Sequence, residues 1–402
     1  MMRWRLFACV VACGVCVQAH PDGQKGLAVK DGGLIRDGQP YRGVGCNYFD
    51  LFLRVLNNPE DSSSLAGLER LAQAGIPFVR FAGPYSSKDW RLYRNDKDEY
   101  FRRLDRVVRT AEKSGIGLIP ALFWTLSLCE TVGETRDQWG NPQSKTLELM
   151  RQYTGEVVSR YKNSPALWAW EFGNEINLMT DLPNAAEFRP KNGTARDDVK
   201  GVHLVVMLSE FAKAVRTQDA ARPVFSGNSH PRAYAWHNTN ERSWKPDTAT
   251  QTREILLRDN PEPLNTIDIH FYGIDRIDKE LGVWPTNRLD YLLWLREVAD
   301  ETRRPIFIGE FGLADKPGGA TARPVFEAQL AEIERAGVDL AAFWVYDRKG
   351  GGGGWSVSFD NDRAYMIALT AEINRRWKTR RYDFGPLSRG RKTGDHALLQ
   401  RE

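Results

Sequence analysis

Short apolar runs recur along the chain with room for one helix between each pair. They are RGVGCNY (42–48), IPFVRFAG (76–83), GIGLIPALFW (115–124), PALWAWEFGNE (165–175), PVFSGNSH (223–230), TIDIHFYG (266–273), PIFIGEFG (305–312) and VDLAAFWVYD (338–347). Each is apolar on both faces, as a parallel strand covered on both sides must be. Between them apolar residues recur three and four apart. SSSLAGLERLAQAG (62–75) opens on serines and closes on glycine, and EYFRRLDRVVRTAEKSG (99–115) repeats the pattern. The same spacing marks 146–164, 198–218, 289–303 and 324–337. Eight strands alternating with helices predict an α/β fold, a (β/α)₈ TIM barrel. A doubly wound open sheet is the competing arrangement, but it usually carries a glycine-rich phosphate turn after its first strand, and this chain has none there. Ahead of the barrel, LAVKDGGLIRDGQPY (27–41) places Asp-Gly turns between short apolar segments and predicts a small hairpin.

In such a barrel the C-terminal ends of the strands form the active face. What emerges there is polar. The fourth run, Trp168 to Asn177, begins as WAWEFG and ends in Asn174-Glu175. A glutamate is almost never fully buried unless it is paired, so this one belongs at the mouth of the barrel. The second run delivers Arg80 and the fifth delivers Asn228, Ser229 and His230. The sixth delivers His270 and Tyr272, the seventh Glu310, and the eighth Trp344 and Tyr346. Two carboxylates, Glu175 and Glu310, therefore converge on one face. A pair of Asp/Glu side chains flanking a glycosidic bond is the machinery of glycoside hydrolysis, one protonated and one ionised. Arg80 is placed to hold Glu310 ionised, and apolar neighbours to raise the pKa of Glu175. Either glutamate alone would be as well explained by a structural ion pair; the two together at matching strand ends are harder to explain that way. Glu171 shares the strand parity of Glu175 and is expected to face inward towards Arg80 in a structural role. His230 is a weaker substrate contact, since a loop histidine is more often incidental.

Composition narrows the classes. The chain has 402 residues, and its 56 basic and 52 acidic residues are too balanced for a nucleic-acid surface. The 13 tryptophans suit flat aromatic platforms as well as core packing, and Trp139, Trp236, Trp284 and Trp355 fall in expected active-face loops. His203 and His237 have no metal-ligand spacing with other candidates, so neither a metal nor another cofactor is expected. MMRWR followed by LFACVVACGVCV and VQA reads as an export signal cleaved near Ala19, giving a secreted or periplasmic protein. Val10-Val11-Ala12-Cys13 also loosely resembles a lipoprotein processing site, so a lipid anchor at Cys13 is the alternative. No segment is long and apolar enough to span a membrane. The barrel is expected over residues 20–378, with a polar tail over 379–402 and a flexible loop at 349–356. Cys46 and Cys129 remain after the leader, either paired or as two partly buried thiols. A monomer is expected.

Asn-Glu closing the fourth strand, His-x-Tyr closing the sixth and Glu-Phe-Gly closing the seventh, with Arg80 and Trp344, resemble clan A glycoside hydrolases. The resemblance is closest to family 5, the cellulase and mannanase family, and covers roughly residues 27–378. It implies a retaining mechanism with Glu175 as acid/base and Glu310 as nucleophile, about 5–5.5 Å apart. It further implies Asn174 on the 2-hydroxyl of the sugar being cleaved, Tyr272 and Arg80 orienting Glu310, and His270 against Glu175 or the sugar. Trp344 becomes the sugar platform, with a non-proline cis peptide to Val345. The third strand departs from the family: where many members carry a polar residue this chain has Phe123-Trp124, which suggests an altered subsite with Trp124 stacking on a sugar or filling the mouth. The pattern Trp170-Glu171-x-x-Asn174-Glu175 is more like mannanases than cellulases.

The expected function is thus a retaining glycoside hydrolase on a β-linked polysaccharide or oligosaccharide, β-1,4-mannan or β-1,4-glucan. Segments 125–145, 178–200 and 230–262, read as long loops, leave room for an exo-acting β-glycosidase. A non-catalytic carbohydrate-binding barrel is the reading from another class, and it predicts loss of a carboxylate that this chain retains. A metal- or phosphate-using barrel would need clustered ligands or an ordered phosphate loop; the glycines at 350–354 only imitate the latter.

Overall fold

A computed structural model describes residues 26–272, 285, 287–314, 322–350 and 352–379. The first three strands, β1 (Leu27–Lys30), β2 (Gly33–Arg36) and β3 (Gln39–Pro40), form an antiparallel meander. Its two turns are Asp31-Gly32 and Asp37-Gly38, and all four residues have positive φ. That backbone matches the twist of a two-residue hairpin loop, which is why Asp-Gly is used twice. The expected hairpin is therefore a three-stranded unit. It contributes Leu27 and Leu34 to an apolar cluster with Phe78, Ile119, Trp168, Phe225, Phe307 and Leu340, most of them at the beginnings of barrel strands. The meander thus plugs the bottom of the barrel, opposite the catalytic face.

Eight parallel strands follow: β4 (Gly43–Asn47), β5 (Phe78–Ala82), β6 (Gly117–Ala121), β7 (Trp170–Glu171), β8 (Val224–Phe225), β9 (Ile267–Phe271), β10 (Ile306–Phe311) and β11 (Leu340–Phe343). The order β8-β7-β6-β5-β4-β11-β10-β9 is that of a (β/α)₈ barrel opened at one seam. Side chains close the seam. Asn265 Oδ1 accepts from Val224 N at 2.9 Å, Thr266 Oγ1 donates to Val224 O at 2.8 Å, and Asp268 Oδ2 accepts from Gly227 N at 2.5 Å. The backbone groups a ladder would have paired are thereby satisfied.

All eight runs read from the sequence hold a strand, and the six spaced segments hold helices Ser63–Gln73, Lys97–Ser114, Lys145–Tyr161, Gly201–Arg216, Arg288–Thr302 and Ala322–Arg335. Asp96, Ser144 and Asn287 cap three of them by accepting from the backbone N–H three residues on. The structure adds helix Ala364–Thr379, and 230–262 is not a plain loop: it holds helices Ala235–Glu241 and Ala249–Asp259. The second of these is set by a capping box, Thr248 with Gln251, and buries Thr252, Ile255, Leu256 and Asp259 on one face. Gly352–Gly354 forms a 3₁₀ turn, with Gly354 O accepting from Arg363. The export segment, Cys13, Trp284 and the tail beyond residue 379 lie outside the described residues.

Period-two parity decides what enters the barrel. Phe78, Arg80 and Ala82 point inward from β5 while Val79 and Phe81 pack against the outer helices. On β9 Asp268 and His270 point inward while Ile267, Ile269 and Phe271 pack outward. Along β10 the register shifts between Ile308 and Glu310. Without that irregularity Phe307 and Gly309 would hand the inward position to Phe311; the shift gives it to Glu310 and leaves Phe311 stacked on Phe326 outside.

Candidate active site

The site is built on Arg80. It is fully buried, and all five of its N–H donors are used. Nε donates to Glu171 at 2.7 and 2.9 Å; Nη1 donates to Asn47 Oδ1 at 2.9 Å and to Glu310 Oε1 at 2.8 Å; Nη2 donates to Gly173 O at 3.3 Å and Asn174 Oδ1 at 3.0 Å. One face of the guanidinium lies 4.7 Å from the Trp124 ring. Asn47 in turn donates to Gly309 O at 2.8 Å, tying β4 to the strand that carries Glu310. A single cation thus gathers the ends of β4, β7 and β10. Glu171 faces Arg80 as its parity indicates, and has a structural position beneath the mouth.

Glu310 has three neighbours. Besides Arg80, the Tyr272 hydroxyl donates to Oε2 at 3.2 Å, and His270 Nδ1 stands 3.7 Å from Oε1. His270 Nδ1 is bound to Glu175 Oε1 at 3.0 Å. One oxygen of each glutamate and a nitrogen of His270 all lie within 4.8 Å of one another. Those three atoms could geometrically hold a cation, but Nδ1 already serves Glu175 and Glu310 serves Arg80. Glu175 sits just past β7 with φ 51°, a left-handed conformation that a side-chain-bearing residue adopts at a cost of order 1–3 kcal/mol, and one concentrated at functional sites.

The electrostatics differ from the sequence expectation. Burial pushes Glu310 above its ordinary carboxylate value, against the opposing charges of His270 and Arg80. Burial also acts to raise Glu175, but the His270 hydrogen bond and charge outweigh it and hold that carboxyl low. Burial alone would depress His270; the Glu310 charge and the Glu175 hydrogen bond raise it instead. Arg80 therefore does not suffice to lower Glu310, and Glu175 is not raised, because His270 sits closer to Glu175 than to Glu310. The proton preferences of the two glutamates are thus the reverse of those expected. Burial, then the Glu310 charge, keep the Tyr272 phenol protonated and able to donate.

Above these groups opens a cleft of ≈ 830 Å³. Asn174, Glu175, Tyr272, Glu310, Trp124 and Trp344 all line it. Trp124 and Trp344 stand stacked, 6.1 Å between centroids at 28°, and the peptide from Trp344 to Val345 is cis. His270 lies beneath, in contact with both glutamates. The other predicted residues separate. His230 is tied by its two ring nitrogens to the carbonyls of Pro231 and Tyr272, so it supports the Tyr272 backbone. Asn228 donates to Asp259 O, and Tyr346 packs edge-on against Tyr48. Trp139 is buried, with its indole bound to Leu126 O, and Trp236 is bound to Glu254. Trp355 does line the cleft, 5.6 Å from Tyr272. Cys46 and Cys129 are both free and buried.

Sequence reasoning missed Asn47, Phe49, Tyr85 and Arg348. Asn47 was legible in principle as the polar residue at the end of the first run; Phe49, Tyr85 and Arg348 are loop residues whose place depends on the folded rim.

The fold and site define a barrel hydrolase scaffold with two carboxylates at the C-terminal face. The comparisons give the family. The model for Cellulase (glycosyl hydrolase family 5) matches residues 39–350, and the chain belongs to that family. It is 31% identical over 196 residues to mannan endo-1,4-beta-mannosidase A of Podospora anserina, covering 42% of this chain and 51% of the relative. The chain spans about half the length, or less, of the first curated relatives it matches. In structure it is similar to an endo-1,4-beta-mannanase from Rhizomucor miehei, with a TM-score of 0.64 at 16% identity, covering 88% of this chain and 100% of that one. It is also similar to an exo-beta-1,4-mannosidase from an Opitutaceae bacterium, with a TM-score of 0.59 at 15% identity, covering 87% and 63%.

Proposed function

We propose that the chain is a retaining β-glycoside hydrolase acting on a β-1,4-linked mannan or manno-oligosaccharide. The observation that carries this is the carboxylate pair. An oxygen of Glu175 and an oxygen of Glu310 lie within 4.8 Å of each other, which suits the carboxyl separation of about 5–5.5 Å used by retaining enzymes better than the about 6.5–9.5 Å that inverting ones use to admit a water. The mannan preference rests on the names of the relatives and on the Trp170-Glu171-x-x-Asn174-Glu175 pattern; β-1,4-glucan is the other candidate.

In this reading Glu310 attacks the anomeric carbon while Glu175 protonates the departing oxygen. The bond to the aglycone breaks as a glycosyl ester forms on Glu310. Water, deprotonated by Glu175, then releases the sugar with its configuration retained. Arg80 and Tyr272 fix both oxygens of Glu310, and Trp344 carries the sugar. Asn174, whose Oδ1 is held by Arg80, presents its amide N–H to the 2-hydroxyl. The proton must lie on Glu175 when the bond breaks. A sugar seated on Trp344 strips water from Glu175, whose side chain is 30% exposed, and so raises its pKa. Positive charge developing at the anomeric carbon favours ionised Glu310 at the same moment. His270 Nδ1, in reach of both glutamates, is the short path between them.

A reducing-sugar assay on mannan, glucomannan, cellulose derivatives, mixed-linkage glucan and xylan tests this, with Glu310→Ala as control. Activity on mannan that disappears in the control is expected. Inverted product configuration by proton NMR would overturn the nucleophile role. Release of mannose alone from mannohexaose would select the exo-acting reading instead. The leader at 1–19 supports export, and no helix among the described residues is long and apolar enough to cross a membrane.

A further inference from the structure

The strand order places β11 four strands from β7, directly across the ring. Glu175 follows β7 and hands its proton to the leaving group, so the aglycone departs on that side. The glycone side is the rim after β11, β4 and β5. There Phe49 packs edge-on against Tyr85 at 5.7 Å and Trp124 at 5.0 Å, and Tyr85 is 45% exposed. Into this rim projects Arg348, its guanidinium 5.0 Å from the Phe49 ring and 5.8 Å from Trp344.

Arg348 differs from every charged neighbour in how it is satisfied. Asp347, before it, is bound by Arg54 at 2.8 Å, and Lys349, after it, is bound by Asp61. Arg288, also at the cleft, is engaged, its Nε donating to Glu332 at 2.8 Å, and the buried Arg80 is saturated. Among the described residues no carboxylate pairs with Arg348; its guanidinium neighbours the Phe49 and Trp344 rings. The absence of a side chain at Gly352 leaves room for it there, since a Cβ at that position would stand 3.3 Å from Arg348 Cδ. A half-buried guanidinium that lines a sugar cleft beside two aromatic rings offers a planar fork to a carboxylate. A neutral sugar would supply hydroxyl acceptors but leave the charge uncompensated when the cleft loses its water.

We propose that Arg348 forms a subsite for a uronic acid, the unit adjoining the cleaved mannosyl residue on its non-reducing side. The inference rests on the hydrolase reading above and names the substrate class of that same cleft. The probe is a β-manno-oligosaccharide carrying a uronic acid at that unit, prepared both as free carboxylate and as methyl ester. The two share shape and differ in charge.

For the unaltered protein kcat/KM is expected to favour the free acid by at least about tenfold, falling as salt rises. In Arg348→Gln the acid-to-ester ratio should fall to about one, while Arg348→Lys, which keeps the charge and loses the fork, should retain part of it. An acid-to-ester ratio of one or less in the unaltered protein, or a ratio unchanged by Arg348→Gln, would overturn the subsite. Cleavage of the ester without preference for the acid refutes this inference alone. Cleavage of neither probe nor of neutral mannan would refute the hydrolase reading and this subsite with it.

Discussion

Replacing Arg80 by Met separates what this residue does for the fold from what it does for the chemistry. Met has similar length and no charge. The substitution leaves Glu171, with no exposed side-chain surface, and Glu310, with 7% exposed, without their shared counter-charge. Breaking a buried ion pair from one side costs about 3–5 kcal/mol, because the remaining charge stays desolvated. Both partners are buried, so solvent screening does little to reduce that figure. At about 2.1 cal/mol/K per residue, each kcal/mol moves the Tm of a chain this size by roughly 1.2 °C, so a fall of about 4–6 °C is expected in calorimetry. Turnover should fall at least about a hundredfold, since Glu310 would protonate and lose its alignment. The double variant Arg80→Met/Glu171→Met replaces the deeper pair by apolar groups, a change often neutral for stability. It should recover most of the lost Tm and none of the activity. Turnover within threefold of the unaltered protein in Arg80→Met, or a double variant no more stable than the single, would refute the claim that this cation organises the site.

Three further outcomes follow from the same geometry. Gly309→Ala should lower kcat at least about tenfold with a loss of roughly 1–3 kcal/mol, because its Cβ would stand 2.9 Å from His270 Nε2 and force the ring off Glu175; unchanged kinetics would contradict the placement of His270. Burial and the Glu171 charge raise Asp268 well above the ordinary carboxylate value. Its contribution to stability is therefore present at acid pH and lost as pH rises through that raised value. The Tm of Asp268→Asn relative to the unaltered protein should climb as pH rises above about 4, and a flat difference would refute the sign. Burial raises both thiols, Cys129 to about 12, so in protein produced from residue 20 onward neither Cys46 nor Cys129 should react with a thiol reagent until the chain unfolds. Rapid reaction of the folded protein would contradict their burial.

The barrel was legible because its signal is repeated eight times and each run is apolar on both faces. The mouth was legible for a related reason: a charge at the end of such a run has nowhere to go but the rim. That logic reaches Arg80, Glu175, His270 and Glu310, and the inward parity of Glu171. It does not reach the shift on β10 that turns Glu310 inward, because register is set by neighbouring strands. Nor does it reach the seam between β8 and β9, where Asn265, Thr266 and Asp268 do the work of a ladder. Helix Ala249–Asp259 was hidden because a short helix carries little periodicity and its cap is its main mark. The proton order of the two glutamates depends on which of them His270 approaches more closely, by 3.0 against 3.7 Å, a difference only the fold contains.

The proposed double displacement requires a covalent bond between Glu310 and the sugar. A β-mannosyl fluoride with fluorine in place of the 2-hydroxyl combines a good leaving group with a slowed second step, and traps such an intermediate. Incubation followed by proteolysis and mass spectrometry should find one fluoromannosyl group on the peptide containing Glu310, and none in Glu310→Ala. A label on Glu175 or another carboxylate, or full turnover of the fluoride with no labelled peptide, would rule out Glu310 as the nucleophile.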